Sequence, residues 1–363
     1  MSINEIIMYI MVVFMVIGGL DKCFGGKLGL GEKFEEGIMA MGALAMSMVG
    51  IITIAPILAQ VLSPIVVPVY TMLGADPSMF ATTLLANDMG GFALAQQMAL
   101  DEQAGLFAGA ILGAMMGPTI VFSIPVALGI IEKSDHQYLA TGVLCGIVTI
   151  PIGCLAGGLA AGMPLGMILS NLVPIVIFAL LVIIGLWLIP DTMIKCFTVF
   201  GQGVVVVAVL GLILGALQLL VGITVIDGIA PVTEGIEIVG GIALTLSGAF
   251  CLVAFITKVF NKPLLRMGAA LGMNEVAAAG MVATLANNIP MFQMMKDMDT
   301  RGKILNVAFA VSASFVLGDH LGFTAGVAKE MIFPMIVGKL VAGITAVMVA
   351  IFMSNRILGK NSK

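Results

Sequence analysis

Apolar residues run along this chain in blocks near or above 18 residues, long enough to cross roughly 30 Å of hydrocarbon as helices. The blocks fall at residues 4 to 20, 37 to 60, 104 to 130, 137 to 160, 164 to 189, 196 to 220, 236 to 257, 304 to 328 and 331 to 353. Two further stretches, 64 to 99 and 263 to 296, are broken by Gly, Pro, Asn and Asp. Each is expected to make an even number of crossings, as two short helices or a re-entrant hairpin.

The pattern occurs twice. Glu36-Gly37-Ile38 followed by Gly42 and Gly50 returns as Glu234-Gly235-Ile236 followed by Gly240 and Gly248. Leu73-Gly74-Ala75-Asp76 returns as Leu271-Gly272-Met273-Asn274, and Leu85-Ala86-Asn87-Asp88 as Leu285-Ala286-Asn287-Asn288. The glycine ladder Gly105, Gly109, Gly113, Gly117 is echoed at Asn306, Ala310, Ser314, Gly318, so the offset stays between 198 and 201. Small residues four apart let helix backbones approach closely, and the ladder reads as a packing seam.

Composition and charge turn this pattern into a topology. Of 363 residues, 60% are hydrophobic and 10% charged, against roughly 25% charged in a soluble domain. Alternate loops (21 to 36, 132 to 136, 190 to 195, 258 to 266, 296 to 303 and the tail after Met353) carry 14 of the 16 positive residues. The opposite loops carry only Lys329, and Lys339 lies within a span. By the positive-inside rule the C-terminus is cytoplasmic and the N-terminus outside. The first block, with no positive residue before it and Lys22, Lys27 and Lys33 after it, reads as a retained membrane helix and not a cleaved leader.

Matching loops carry opposite charge. Loop 21 to 36 has three lysines and its partner 219 to 234 none, whereas 59 to 67 has none and its partner 258 to 266 has Lys258, Lys262 and Arg266. The expected fold is therefore an all-α polytopic membrane protein built as an inverted-topology repeat, with about 9 full spans plus two broken pairs. Residues 1–160 form the first repeat, 161–195 a connecting helix that flips the second copy, and 196–363 the second repeat.

Polar side chains inside hydrocarbon are costly and ask for a reason. Asn87-Asp88 and Asn287-Asn288 hold equivalent places in the two broken stretches, followed by Gly90-Gly91 and by Pro290. Unwound backbone at membrane depth survives only against protein or a wet cavity, so the two breaks are expected to meet near the midplane as one polar site. The alternative is helix capping at the interface. Asp319-His320 sits halfway along an apolar block, where Asp319 could hold a cation and His320 relay protons, or the two could form a structural pair. Glu275 and Asp76 lie at matching breaks and rank lower, and Gln96, Gln97 and Gln293 lower still. The five cysteines form no metal or disulfide pattern, and no phosphate loop, zinc-protease motif, nucleophile elbow or dense basic patch is present. No cofactor, no metal and no nucleic acid is expected, and the lipid bilayer is the one partner composition demands. A homo-oligomer is compatible with the sequence.

Four runs carry a resemblance: Leu84 to Phe92 (LLANDMGGF), Leu271 to Glu275 (LGMNE), Leu285 to Pro290 (LANNIP) and Leu317 to Phe323 (LGDHLGF). Together they resemble the ethanolamine utilisation transporter family, EutH, over nearly the whole chain. The resemblance implies a bacterial inner-membrane permease that brings ethanolamine into the cell, and no enzyme. A protonated amino alcohol suits the candidate residues, with Asp88 or Asp319 for its ammonium and Asn87, Asn287 or Asn288 for its hydroxyl. A secondary carrier or facilitator is the leading expectation; a channel-like pore, a membrane sensor or scaffold, and a membrane enzyme using Asp319-His320 for acid–base work are the alternatives.

Overall fold

The structure, a computed structural model, describes residues 1–361. Of the charges counted above, Lys262, Arg356, Lys360 and Lys363 lie outside the described side chains. All secondary structure among the described residues is helical.

Helix α1 (Ile3–Cys23) leads into a single 42-residue helix, α2 (Gly31–Met72), which holds one π turn at Ala45–Val49. The short helices α3 (Ser78–Leu84) and α4 (Gly91–Met98) follow, then α5 (Glu102–Ile130) and α6 (His136–Ala160). Helix α7 (Leu165–Leu188) connects to α8 (Pro190–Val221) and to the 39-residue α9 (Val232–Ala270). The short pair α10 (Glu275–Thr284) and α11 (Ile289–Met294) comes next, then α12 (Thr300–Ala313), α13 (Asp319–Val327) and α14 (Ile332–Asn361). Eight helices among the described residues are long and apolar enough to cross a membrane. The chain is a multi-pass membrane protein.

Two expectations change. The spans at 37 to 60 and 236 to 257 continue into the stretches read as interrupted, because Pro64, Pro68 and Pro263 are absorbed inside α2 and α9. Neighbouring helices and local adjustments re-satisfy the groups that proline frees in a membrane. The block at 304 to 328 is two helices, α12 and α13, with a break at residues 314 to 318. The interruptions are thus the α3–α4 and α10–α11 pairs, the α12–α13 break and, within α5, the 3-10 turn at Leu112–Ala114.

At 1.5 Å per residue, helices of 6 to 10 residues span only about 9–15 Å. None of the four can cross alone. Their flanks are tied together by side chains. The Asp76 carboxylate accepts the N–H groups of Leu100 (2.9 Å) and Asp101 (3.0 Å), joining the start of the first pair to its end. In the second pair the Asn274 N–H donates to Asp299 (2.8 Å), and its side-chain amide donates to the Asp297 carbonyl (2.9 Å). Both pairs are therefore hairpins that return to the level at which they begin. Asp76 thus clasps the two ends of the first hairpin together.

Helices from the two sequence copies interleave. α1 packs on α9 and α8 on α2, while α2 and α9 pack on each other. α6 and α14 form a second seam, in which the Thr149 hydroxyl donates to the Ala342 carbonyl at 3.0 Å. The glycine ladder of α5 behaves as a seam too. Gly109 faces Phe92, Gly113 faces Thr82 and Gly117 faces the Leu85 carbonyl, all on the first hairpin.

Candidate functional site

The first hairpin turns at Asn87–Met89, one 3-10 turn ended by Gly90 in the left-handed region at φ 83°. A Cβ at Gly90 would lie 2.1 Å from Cγ2 of Ile51 on α2, so glycine is required on both counts. The Asn87 side-chain oxygen accepts the Asp88 N–H at 3.0 Å. Consecutive residues of this turn face different cavities. Asn87 lines one of about 340 Å³ together with Gln96, Gln97, Glu234 and the edge-to-face pair Phe92–Phe323. Asp88 lines another of about 230 Å³ together with Asp319, His320, Ser47 and the edge-to-face pair Phe122–Phe315. Asn87 Nδ2 and Gln96 Nε2 have no hydrogen-bond partner among the described residues.

The break between α12 and α13 supplies the far wall of the smaller cavity. Phe315 sits at φ 64°, a strained conformation for a residue with a Cβ. The tip of the second hairpin holds it there. The Phe315 N–H donates to the Thr284 carbonyl (3.1 Å) and the Leu317 N–H to the Leu285 carbonyl (2.9 Å). Gly318 follows, where a Cβ would meet the Ala286 carbonyl oxygen at 2.1 Å; at Gly117 one would meet the Leu85 oxygen at 2.0 Å. In each half of the chain the third long element touches its own hairpin tip through a glycine. Asp319 and His320 then open α13, an acid in the first turn being favoured by the helix dipole.

His320 is the hub. Its Nε2 lies 4.0 Å from Asp88 Oδ1, its Nδ1 lies 2.9 Å from Lys339 Nζ, and its ring packs at 5.1 Å on Phe315. Lys339, on α14 and only 1% exposed, also donates to the Ala114 carbonyl. That carbonyl is open because its α-helical partner four residues on is Pro118, which has no N–H. A proline in α5 thus makes the acceptor that anchors a lysine from α14.

Four of the expected site residues, Asn87, Asp88, Asp319 and His320, surround this turn. Three do not. Asn287 is half-buried and accepts the Ile289 N–H at 2.8 Å, capping α11. Asn288 is fully buried and donates to the Ser123 hydroxyl of α5 at 2.9 Å. Neither lines either cavity, because each hairpin tip meets the broken long element of the other copy and not the other tip: Asn87–Met89 packs on α13, α11 on α5. Glu275 is exposed in the first turn of α10, also away from both cavities. Lys339 is the residue that sequence reading left out. Its signal was plain: a lysine within an apolar span that has no nearby end to snorkel towards.

Helices of membrane length folded around broken hairpins and buried polar cavities define a polytopic helical membrane protein. The chain belongs to the EutH family, whose model, described as "Ethanolamine utilisation protein, EutH", matches residues 3–353. It is 74% identical to a probable ethanolamine permease EutH of Listeria monocytogenes, over 99% of this chain and 97% of that one. It is 54% identical to the probable ethanolamine permease EutH of Escherichia coli, over 97% and 96% of the two chains. An uncharacterized Bacillus subtilis protein, YxeR, is 52% identical over 100% of this chain and 98% of its own. No solved structure matches the chain.

Proposed function

We propose that this chain transports ethanolamine across the bacterial cytoplasmic membrane, binding it in the cavity bounded by Asp88, Asp319 and His320. The observation that carries this reading is Asp88, an acid on an unwound turn between two cavities inside an apolar bundle. Ethanolamine carries a primary amine that, like that of lysine, is protonated at neutral pH. Two carboxyl groups, Asp88 and Asp319, line the cavity and outnumber the one amine near it, Lys339, which suits a cation. The relatives from Listeria monocytogenes and Escherichia coli, both named probable ethanolamine permeases, agree with this substrate.

The same reading includes alternating access by two inverted copies, residues 1–160 and 196–363, joined by the helix of 161–195. Three things support it: the repeated order of long helix, hairpin and broken element, the opposite loop charges, and the reciprocal packing of α1 on α9 and α8 on α2. The N-terminus then lies outside and the C-terminus in the cytoplasm. Two separate cavities with a turn between them favour a gated carrier over an open pore.

The test is uptake of labelled ethanolamine into proteoliposomes at limiting concentration. Saturable uptake with counterflow is expected. Uptake without saturation or counterflow would identify a pore, and folded protein giving no uptake above empty liposomes would reject transport and leave a sensor or scaffold.

A further inference from the structure

Lys339 has no role in the reading above beyond its charge, yet it is one of the most completely enclosed polar groups in the molecule. It is 1% exposed and forms no ion pair among the described residues. Its two hydrogen-bond contacts are the Ala114 carbonyl and His320 Nδ1. An ammonium only donates, so a protonated Lys339 makes Nδ1 the acceptor and leaves the ring proton on Nε2. That nitrogen faces Asp88 Oδ1 at 4.0 Å, and His320 lines the same cavity as Asp88 and Asp319. The spacing is too long for a direct hydrogen bond. The Nε2–H therefore stands as a donor that a guest could use, next to a carboxylate.

We propose that Lys339 is a positioning residue for substrate selection. Anchored on the Ala114 carbonyl, it holds His320 in the Nε2–H tautomer, so that the cavity selects amines that carry a hydroxyl acceptor. The ammonium of the guest meets Asp88 or Asp319, and its hydroxyl oxygen accepts from Nε2–H. An amine of similar size without the hydroxyl leaves that buried donor unpaired and is disfavoured, the asymmetry by which sites built around a hydrogen bond reject analogues that lack the partner. This inference rests on the proposed ethanolamine site and adds a cause for its specificity.

The experiment measures competition of unlabelled ethanolamine and ethylamine against labelled ethanolamine in proteoliposomes. Wild-type protein is expected to prefer ethanolamine, and Lys339→Met to lower that preference about tenfold, the worth of one hydrogen bond. Gln at position 320 carries its own N–H donor and needs no lysine to orient a ring. The double variant Lys339→Met/His320→Gln is therefore expected to recover part of the preference. Equal loss for both amines, or an unchanged ratio, would overturn the proposal while leaving transport intact as a reading. Absence of ethanolamine uptake by the wild type would remove both.

A second measurement does not depend on any variant of Lys339 folding. The chain has two histidines, so ¹⁵N-histidine spectra of the wild type, assigned with a His136→Asn variant, report the His320 tautomer directly. A proton on Nε2 with a hydrogen-bonded, unprotonated Nδ1 is expected. A proton on Nδ1, donated to the nearby Ala114 carbonyl or to a neutral lysine, would overturn the proposal.

Discussion

The turns Leu85–Gly90 and Leu285–Pro290 share the run Leu-Ala-Asn and then diverge, and they have opposite fates. Both interrupt a short hairpin at matching places, and both end a helix that cannot cross the bilayer. The first lies between two cavities and turns a carboxylate toward a histidine. The second is closed: Asn288 is fully buried against Ser123, and Asn287 caps its own helix. A carboxylate at membrane depth needs water, a guest or a partner, whereas a neutral amide costs less to bury: Asn288 has only the Ser123 hydroxyl, and its Oδ1 has no partner among the described residues. The break occurs at matching places in the two halves, and one of the differences, Asp88 against Asn288, goes with the difference between a turn that borders cavities and a turn that is packed shut.

The sharpest way to break this comparison is to exchange those side chains. Asn288→Asp puts an acid where only the Ser123 hydroxyl faces it, and should cost about 3 kcal/mol of stability. Thermal unfolding in detergent checks this, and an unchanged midpoint would mean the second turn is wet. Asp88→Asn should leave folding intact and lower ethanolamine uptake about tenfold to a hundredfold, corresponding to roughly 1.5–3 kcal/mol for a lost charge-assisted contact. Full activity in that variant would remove Asp88 from the site. Asn288→Ala removes one hydrogen bond and should lower stability by about 1 kcal/mol while uptake persists in the folded protein. Glu275→Gln should change neither stability nor uptake beyond about 0.5 kcal/mol, since the residue is exposed and apart from both cavities.

Much of the fold was readable along the chain because hydropathy is local: a block of apolar residues must span or be buried whatever surrounds it. The hairpins were readable for a similar reason, since Gly and Asn at Leu85 to Gly91 disfavour continuous helix on their own. Reading by local breaks also failed in an instructive way. Pro64 and Pro263 sit inside continuous helices, while Phe315, an ordinary apolar residue, holds the left-handed break. Helix-breaking in a membrane is decided by who takes up the freed backbone groups. At 314 to 318 the takers are the carbonyls of Thr284 and Leu285, some 30 residues earlier.

The candidate site divides the same way. Asp88, Asp319 and His320 drew notice as polar groups in apolar runs, a property of each residue alone. That they share a cavity, that Asn288 does not, and that Lys339 reaches across to a carbonyl orphaned by Pro118 are facts about neighbours as much as 225 residues apart. The amino-acid order by itself determined the helical membrane class and most of the spans, because transfer into hydrocarbon is a sum over local segments. Only the tertiary structure decided which break borders a cavity and which is packed shut, because a buried polar group is stable or costly according to the partner that long-range packing brings to it.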